Sequence, residues 1–308
     1  TELPSVAFFP LMPLMMRAGT WLIGDPLVAG LIVANITLLG ATMLLYRLVD
    51  EEWGGKIAGR TIWYLLIFPT SFFGSAIYSE SLFLLCAIGT LYLARRGFWE
   101  SAGLLGIGAA LTRLVGIIMA PVLAVEWWMQ RQHRSTENRP SRIALLAPAA
   151  IPLGTGLYML YLQYTFGDWM AFARGAAAWE RIPRSPLATI GELLQKPAEG
   201  WLAAIQVGHL PLDNWIDLIV VIGFLSLGLM LLYQQRYSEA VYVLLGTLLP
   251  LSSGLLMSQR RYVWVLFPAF ILLARWGENS WVDRLITTVF LLGLALFVTL
   301  FANWYWVA

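Results

Sequence analysis

Apolar runs approaching the roughly 20 residues needed to cross a bilayer alternate with short polar breaks along nearly the whole chain. The pattern predicts membrane segments at about 26–48, 57–73, 77–94, 101–112, 114–129, 143–166, 214–233, 241–256, 262–275 and 285–306. Several are shorter than a full span, so short and broken helices are expected among about ten segments. The stretch from Ser101 to Met129 is long for one crossing and short for two. It is read as a broken hairpin whose tip is "LTRLVG" (Leu111 to Gly116), where glycine, Thr112 and Arg113 tolerate a break if the backbone faces protein or a wet cavity.

The distribution of positive charge then orients the segments. "RLVDEEWGGKIAGR" (Arg47 to Arg60), "ARRGFWE" (Ala94 to Glu100) and "QRQHRSTENRPSR" (Gln130 to Arg142) carry three, two and four Lys/Arg, and are expected on the cytoplasmic side. "QQRYSEA" (Gln234 to Ala240) and "ARWGENSWVDR" (Ala274 to Arg284) fall on the same side. The outer side then holds Arg17, "PTSFFGSA" (Pro69 to Ala76), Arg113, the long loop 167–213 and the adjacent pair Arg260 and Arg261. "AFFPLMPLMMRAGTWLIGD" (Ala7 to Asp25) contains Pro10 and Pro13 and is read as an interfacial helix on the outer leaflet. Side counting asks for one more helix before it. With Thr1 in place of Met and no cleavable signal pattern, an N-terminal piece is expected to be missing.

Composition agrees with this frame. Of 308 residues 59% are hydrophobic and 12% charged, well below the ~25% charged residues of soluble domains. The fold class expected is all-α, a polytopic transmembrane bundle forming a single domain over 1–308, multi-pass in the plasma membrane of a prokaryote or the endoplasmic reticulum of a eukaryote. One cysteine and two histidines leave little material for a disulfide or a metal site, so no metal or cofactor is assigned. The net charge of +2, without a basic run interleaved with aromatics, gives no indication of nucleic acid.

Candidate chemistry sits at the outer boundary. Arg260 and Arg261 stand against the topogenic bias, and arginine at that depth calls for an anion; snorkelling to headgroups is the plainer alternative. With Arg113 they are candidates to bind one phosphate, since the planar guanidinium meets phosphate oxygens bidentately. Tyr262 suits sugar stacking and an interfacial belt equally. In "AIYSESLF" (Ala76 to Phe83), Glu80 is a candidate catalytic or acceptor-binding carboxylate, or a first-turn anion of a helix capped by Ser79. Tyr78 and Ser79 are candidate sugar or acceptor contacts. In the long loop, Asp168 suits a turn better than a site, and Trp179 and Trp201 either cover a sugar or mark the interface.

Five blocks in order carry a resemblance: "FFPLMPLMMRAG" (Phe8 to Gly19), "PTSFFGSAIYSESLFLL" (Pro69 to Leu85), "ALTRLVGIIMAP" (Ala110 to Pro121), "FGDWMAF" with "WERIP" (Phe166 to Pro183), and "SQRRYVWVLFPAF" (Ser258 to Phe270). Together they resemble the PIG-V family, GPI mannosyltransferase II and its prokaryotic relatives, membrane glycosyltransferases of the GT-C class. The resemblance implies transfer of a hexose, mannose by family, from a polyprenyl-phosphate-linked donor to a glycan or lipid acceptor on the extracytoplasmic or lumenal face. It also implies a catalytic acid in a first outer loop, which nothing before Ala7 matches, so that acid is expected upstream of Thr1. Two other readings stay open: a noncatalytic membrane subunit that binds lipid-linked sugar, and a transporter. The transporter is disfavoured because the polar breaks lie at the boundary and no repeat is evident.

Overall fold

The computed structural model describes residues 4–134, 139–177, 181–193 and 212–307. Every regular element among them is helical. α1 (Leu11–Ile23), α2 (Pro26–Trp53), α3 (Gly55–Ile67), α4 (Glu80–Arg95), α5 (Trp99–Thr112) and α6 (Met119–His133) come first, and a bent pair follows, α7 (Leu146–Ala150) and α8 (Pro152–Phe166). Then come α9 (Ala171–Ala177), α10 (Pro186–Leu193), α11 (Leu212–Tyr233), α12 (Tyr237–Leu251), the single turn α13 (Gln259–Tyr262), α14 (Phe267–Trp276) and α15 (Ser280–Ala302).

Three helices, α2, α11 and α15, are long and apolar enough to cross a membrane, and the α7–α8 pair, bent by 41°, makes a fourth if it is one span. Two of the remaining apolar helices, α3 and α14, are shorter than the hydropathy pattern suggested, and the cause is local. The segment expected at 57–73 stops at Ile67 because Pro69 forbids continuation, and a 3-10 turn, Ser71–Gly74, follows. The segment expected at 262–275 is divided by the 3-10 turn Val263–Val265 and the non-helical Leu266 (ψ 63°), and the next helix starts with Pro268 in its first turn, where a missing N–H costs nothing. α5 and α6, at 14 and 15 residues, span about 22 Å each at 1.5 Å per residue, less than a ~30 Å hydrocarbon core.

The broken hairpin is present where the sequence places it. α5 ends at Thr112, Arg113 is extended (φ −155°, ψ 149°), and a 3-10 turn, Leu114–Ile118, leads into α6. Gly116 makes the turn feasible: a Cβ there would stand 2.1 Å from the Ala109 carbonyl oxygen, so no side chain fits. α1 is a 13-residue helix with Pro13 in its first turn, where a missing N–H costs nothing. It leaves Leu14, Trp21 and Leu22 exposed, consistent with a helix lying on a surface.

The helices pack around one continuous apolar core, in which Tyr64, Phe83, Tyr242, Trp264, Phe267 and Phe270 are fully enclosed. The bundle has two polar ends, set by α4, whose 16 residues separate them by about 24 Å. At the Arg95 end, Arg95 pairs with Glu239 at 2.7 Å and Glu52 at 3.1 Å. Glu126 accepts there from Ser238 and Gln130, and Arg236 joins Glu52 and Glu239. This network ties α2, α4, α6 and α12 together, a role not read from the sequence, where these charges had only a topogenic one.

Candidate functional site

At the other end, α4 begins with Glu80 and three distant pieces of chain converge. Ser79 sits at the N-cap position but makes no capping bond with its side chain, which corrects that expectation. Ser81 instead fixes the start of α4, its hydroxyl donating to the Gly74 carbonyl. Glu80 is 1% exposed, and its Oε1 lies 2.7 Å from Arg113 Nη1 and 3.1 Å from Arg261 Nε. A carboxylate this deep is stable only with such partners. The two arginine side chains stay open at 14% and 16% exposure, so each is held by Glu80 while keeping an accessible face.

Tyr262 organises the cations further. The guanidinium carbons of Arg113, Arg261 and Arg181 lie 5.2, 5.1 and 5.3 Å from its ring centre, within cation–π range. Arg261 also lies over Phe73 at 5.2 Å and Tyr78 at 5.3 Å. Tyr78 and Tyr262, candidates for sugar or acceptor contact, thus lie beside the arginines, and Arg181 is a third cation not among the sequence candidates. Arg181 lies within the quoted "WERIP" block, yet nothing local to that block indicates that it reaches Tyr262.

Arg260 does not join this group. It is 2% exposed, its Nη2 donates to Asp213 Oδ1 at 3.0 Å, and its Nε lies 3.5 Å from Asp217 Oδ1. Asp217, 0% exposed, also accepts the Arg260 backbone N–H at 2.8 Å, and Thr70 donates to the Arg260 carbonyl at 2.8 Å. The expectation that both adjacent arginines face one external phosphate is therefore corrected. In α13 successive side chains diverge by about 100°, so Arg261 turns to Glu80 and Arg260 to α11. The anion that Arg260 needs at this depth is supplied by the chain itself.

Asp168 behaves as a turn residue: it accepts from the Met170 N–H at 3.0 Å and pairs with Arg174. Trp179 and Trp201 lie outside the described residues. Glu80, the candidate catalytic carboxylate, is enclosed by two cations, a geometry suited to orienting them rather than to taking a proton from an acceptor. Among the described residues no group of three His, Cys, Asp or Glu is placed to hold a metal. Comparison with protein-family models, with curated proteins and with solved structures finds no match.

Proposed function

We propose that this chain is a multi-pass membrane transferase of about ten segments that moves a hexose, mannose by the PIG-V resemblance, from a polyprenyl phosphate to an acceptor hydroxyl on the extracytoplasmic face. The observation that carries the reading is the pair Arg113 and Arg261, fixed by one buried carboxylate yet open on one side. In the transfer, the bond from the sugar C1 to the phosphate oxygen breaks and its electron pair stays on the phosphate. A bond from C1 to the acceptor oxygen forms, and the acceptor proton passes to a carboxylate base, the acidic residue that the resemblance implies. Cations already in position stabilise the growing phosphate charge without reorganisation. Glu80 acts as a positioning residue, and Tyr262 and Tyr78 supply faces for the sugar.

Donor titration in reconstituted vesicles tests this. Arg113→Gln and Arg261→Gln should each weaken donor binding by about 1.5–3 kcal/mol, the range of a charge-assisted hydrogen bond, and Arg261→Lys should restore part of it. Unchanged donor affinity and turnover in all three variants would overturn the proposal. A second reading, a noncatalytic subunit that binds lipid-linked sugar, is favoured by one observation: the only carboxylate in contact with these arginines among the described residues is enclosed. Donor binding without turnover in the full-length protein would select it.

A further inference from the structure

Arg181 brings a third guanidinium to the Tyr262 ring. It is delivered by a strap, residues 181–189, fastened along the end of α12. The Arg184 N–H donates to the Ser252 carbonyl at 3.0 Å, the Thr189 hydroxyl to the Leu251 carbonyl at 3.1 Å, and Arg181 Nη1 to the Ser253 hydroxyl at 2.9 Å. Gly254 makes this seating possible. Its φ is +80°, and a Cβ there would stand 2.4 Å from the Ile182 carbonyl oxygen. The strap thereby holds the Arg181 guanidinium beside the same Tyr262 ring that Arg113 and Arg261 approach.

Three guanidiniums then surround Tyr262, and among the described residues Glu80 is the one carboxylate paired with them, so that three positive charges meet one negative charge there. A lipid phosphodiester carries one negative charge. The lipid monophosphate left when its sugar departs carries nearly two above its second pKa of about 6. Resting on the reading of this site as a lipid-phosphate site, we infer that Arg181 tunes it to the phosphate monoester dianion. The released lipid monophosphate binds more tightly than the diester donor and competes with it, so that transfer is restrained until the product lipid is removed.

The test uses two amphiphiles, dodecyl phosphate and methyl dodecyl phosphate, titrated calorimetrically into the protein in nonionic detergent at pH 8. The wild type should bind the monoester at least about tenfold more tightly, the lower end of what one charge-assisted bond contributes. Arg181→Gln should bring the two within roughly threefold of each other by weakening the monoester, with the diester little changed. If that variant does not fold, Ser253→Ala, which removes the bond positioning Arg181 together with the hydroxyl's own bond to the Pro250 carbonyl, should lower the ratio part way. Equal binding of both amphiphiles by the wild type, or an unchanged ratio in the folded variants, would overturn the inference and leave the phosphate site standing. Binding of neither amphiphile by the wild type would overturn the phosphate site itself.

Discussion

Glu80→Gln separates a carboxylate that positions two cations from one that merely decorates a helix start. Glu80 Oε1 serves Arg113 at 2.7 Å and Arg261 at 3.1 Å at once, with the carboxylate 1% exposed. Neutralising it strands both cations, whereas Arg113→Gln or Arg261→Gln leaves Glu80 one partner. Breaking a fully buried pair costs about 3–5 kcal/mol. The arginines here retain some solvent, which lowers the expectation to roughly 2–3 kcal/mol for Glu80→Gln and about 1–2 kcal/mol for either arginine. The sign of the double variant is the sharper test: adding Arg113→Gln to Glu80→Gln removes a stranded cation and should recover about 1 kcal/mol. Reversible unfolding of the detergent-solubilised protein, read by tryptophan fluorescence, measures all four species. A Glu80→Gln loss no larger than that of Arg113→Gln, or a double variant less stable than Glu80→Gln alone, would refute the shared-carboxylate argument.

Asp217→Asn should destabilise the fold by roughly 2–4 kcal/mol, because Asp217 and Arg260 are both enclosed, while donor affinity per folded molecule stays unchanged; a selective loss of affinity would show that Arg260 belongs to the site after all. Gly116→Ala should cost about 2–4 kcal/mol or abolish folding, as its Cβ would meet the Ala109 carbonyl, and a normal unfolding midpoint would mean that the hairpin tip relaxes freely. For topology, cysteines at the exposed Ser75 and at Gly97, at opposite ends of the bundle, should differ in intact cells: an impermeant thiol reagent should label the first and not the second. Labelling of Gly97→Cys would overturn the assignment of the arginine-rich end to the cytoplasm.

Helix positions were legible in the chain because burial in a bilayer or an apolar core imposes long apolar runs, and proline and glycine interrupt them locally. The hairpin break is the clearest case: "LTRLVG" combines a polar pair with Gly116, and the structure turns there. Helix lengths were less legible, since hydropathy carries an apolar run through Pro69, where backbone geometry stops α3, and across Leu266, after which α14 starts anew with Pro268 in its first turn. The site divided in the same way. A charge at membrane depth demands an opposite charge, so the sequence alone marked Glu80, Arg113, Arg260 and Arg261 as residues in need of partners. Which partner each takes is a matter of tertiary distance. Glu80 finds Arg113 and Arg261, Arg260 finds Asp213 and Asp217, and Arg181 reaches Tyr262 from 81 residues earlier in the chain. Local sequence encodes the need for compensation through solvation energy, but only the packed bundle assigns the pairs, because a Coulomb interaction depends on separation in space and is blind to separation along the chain.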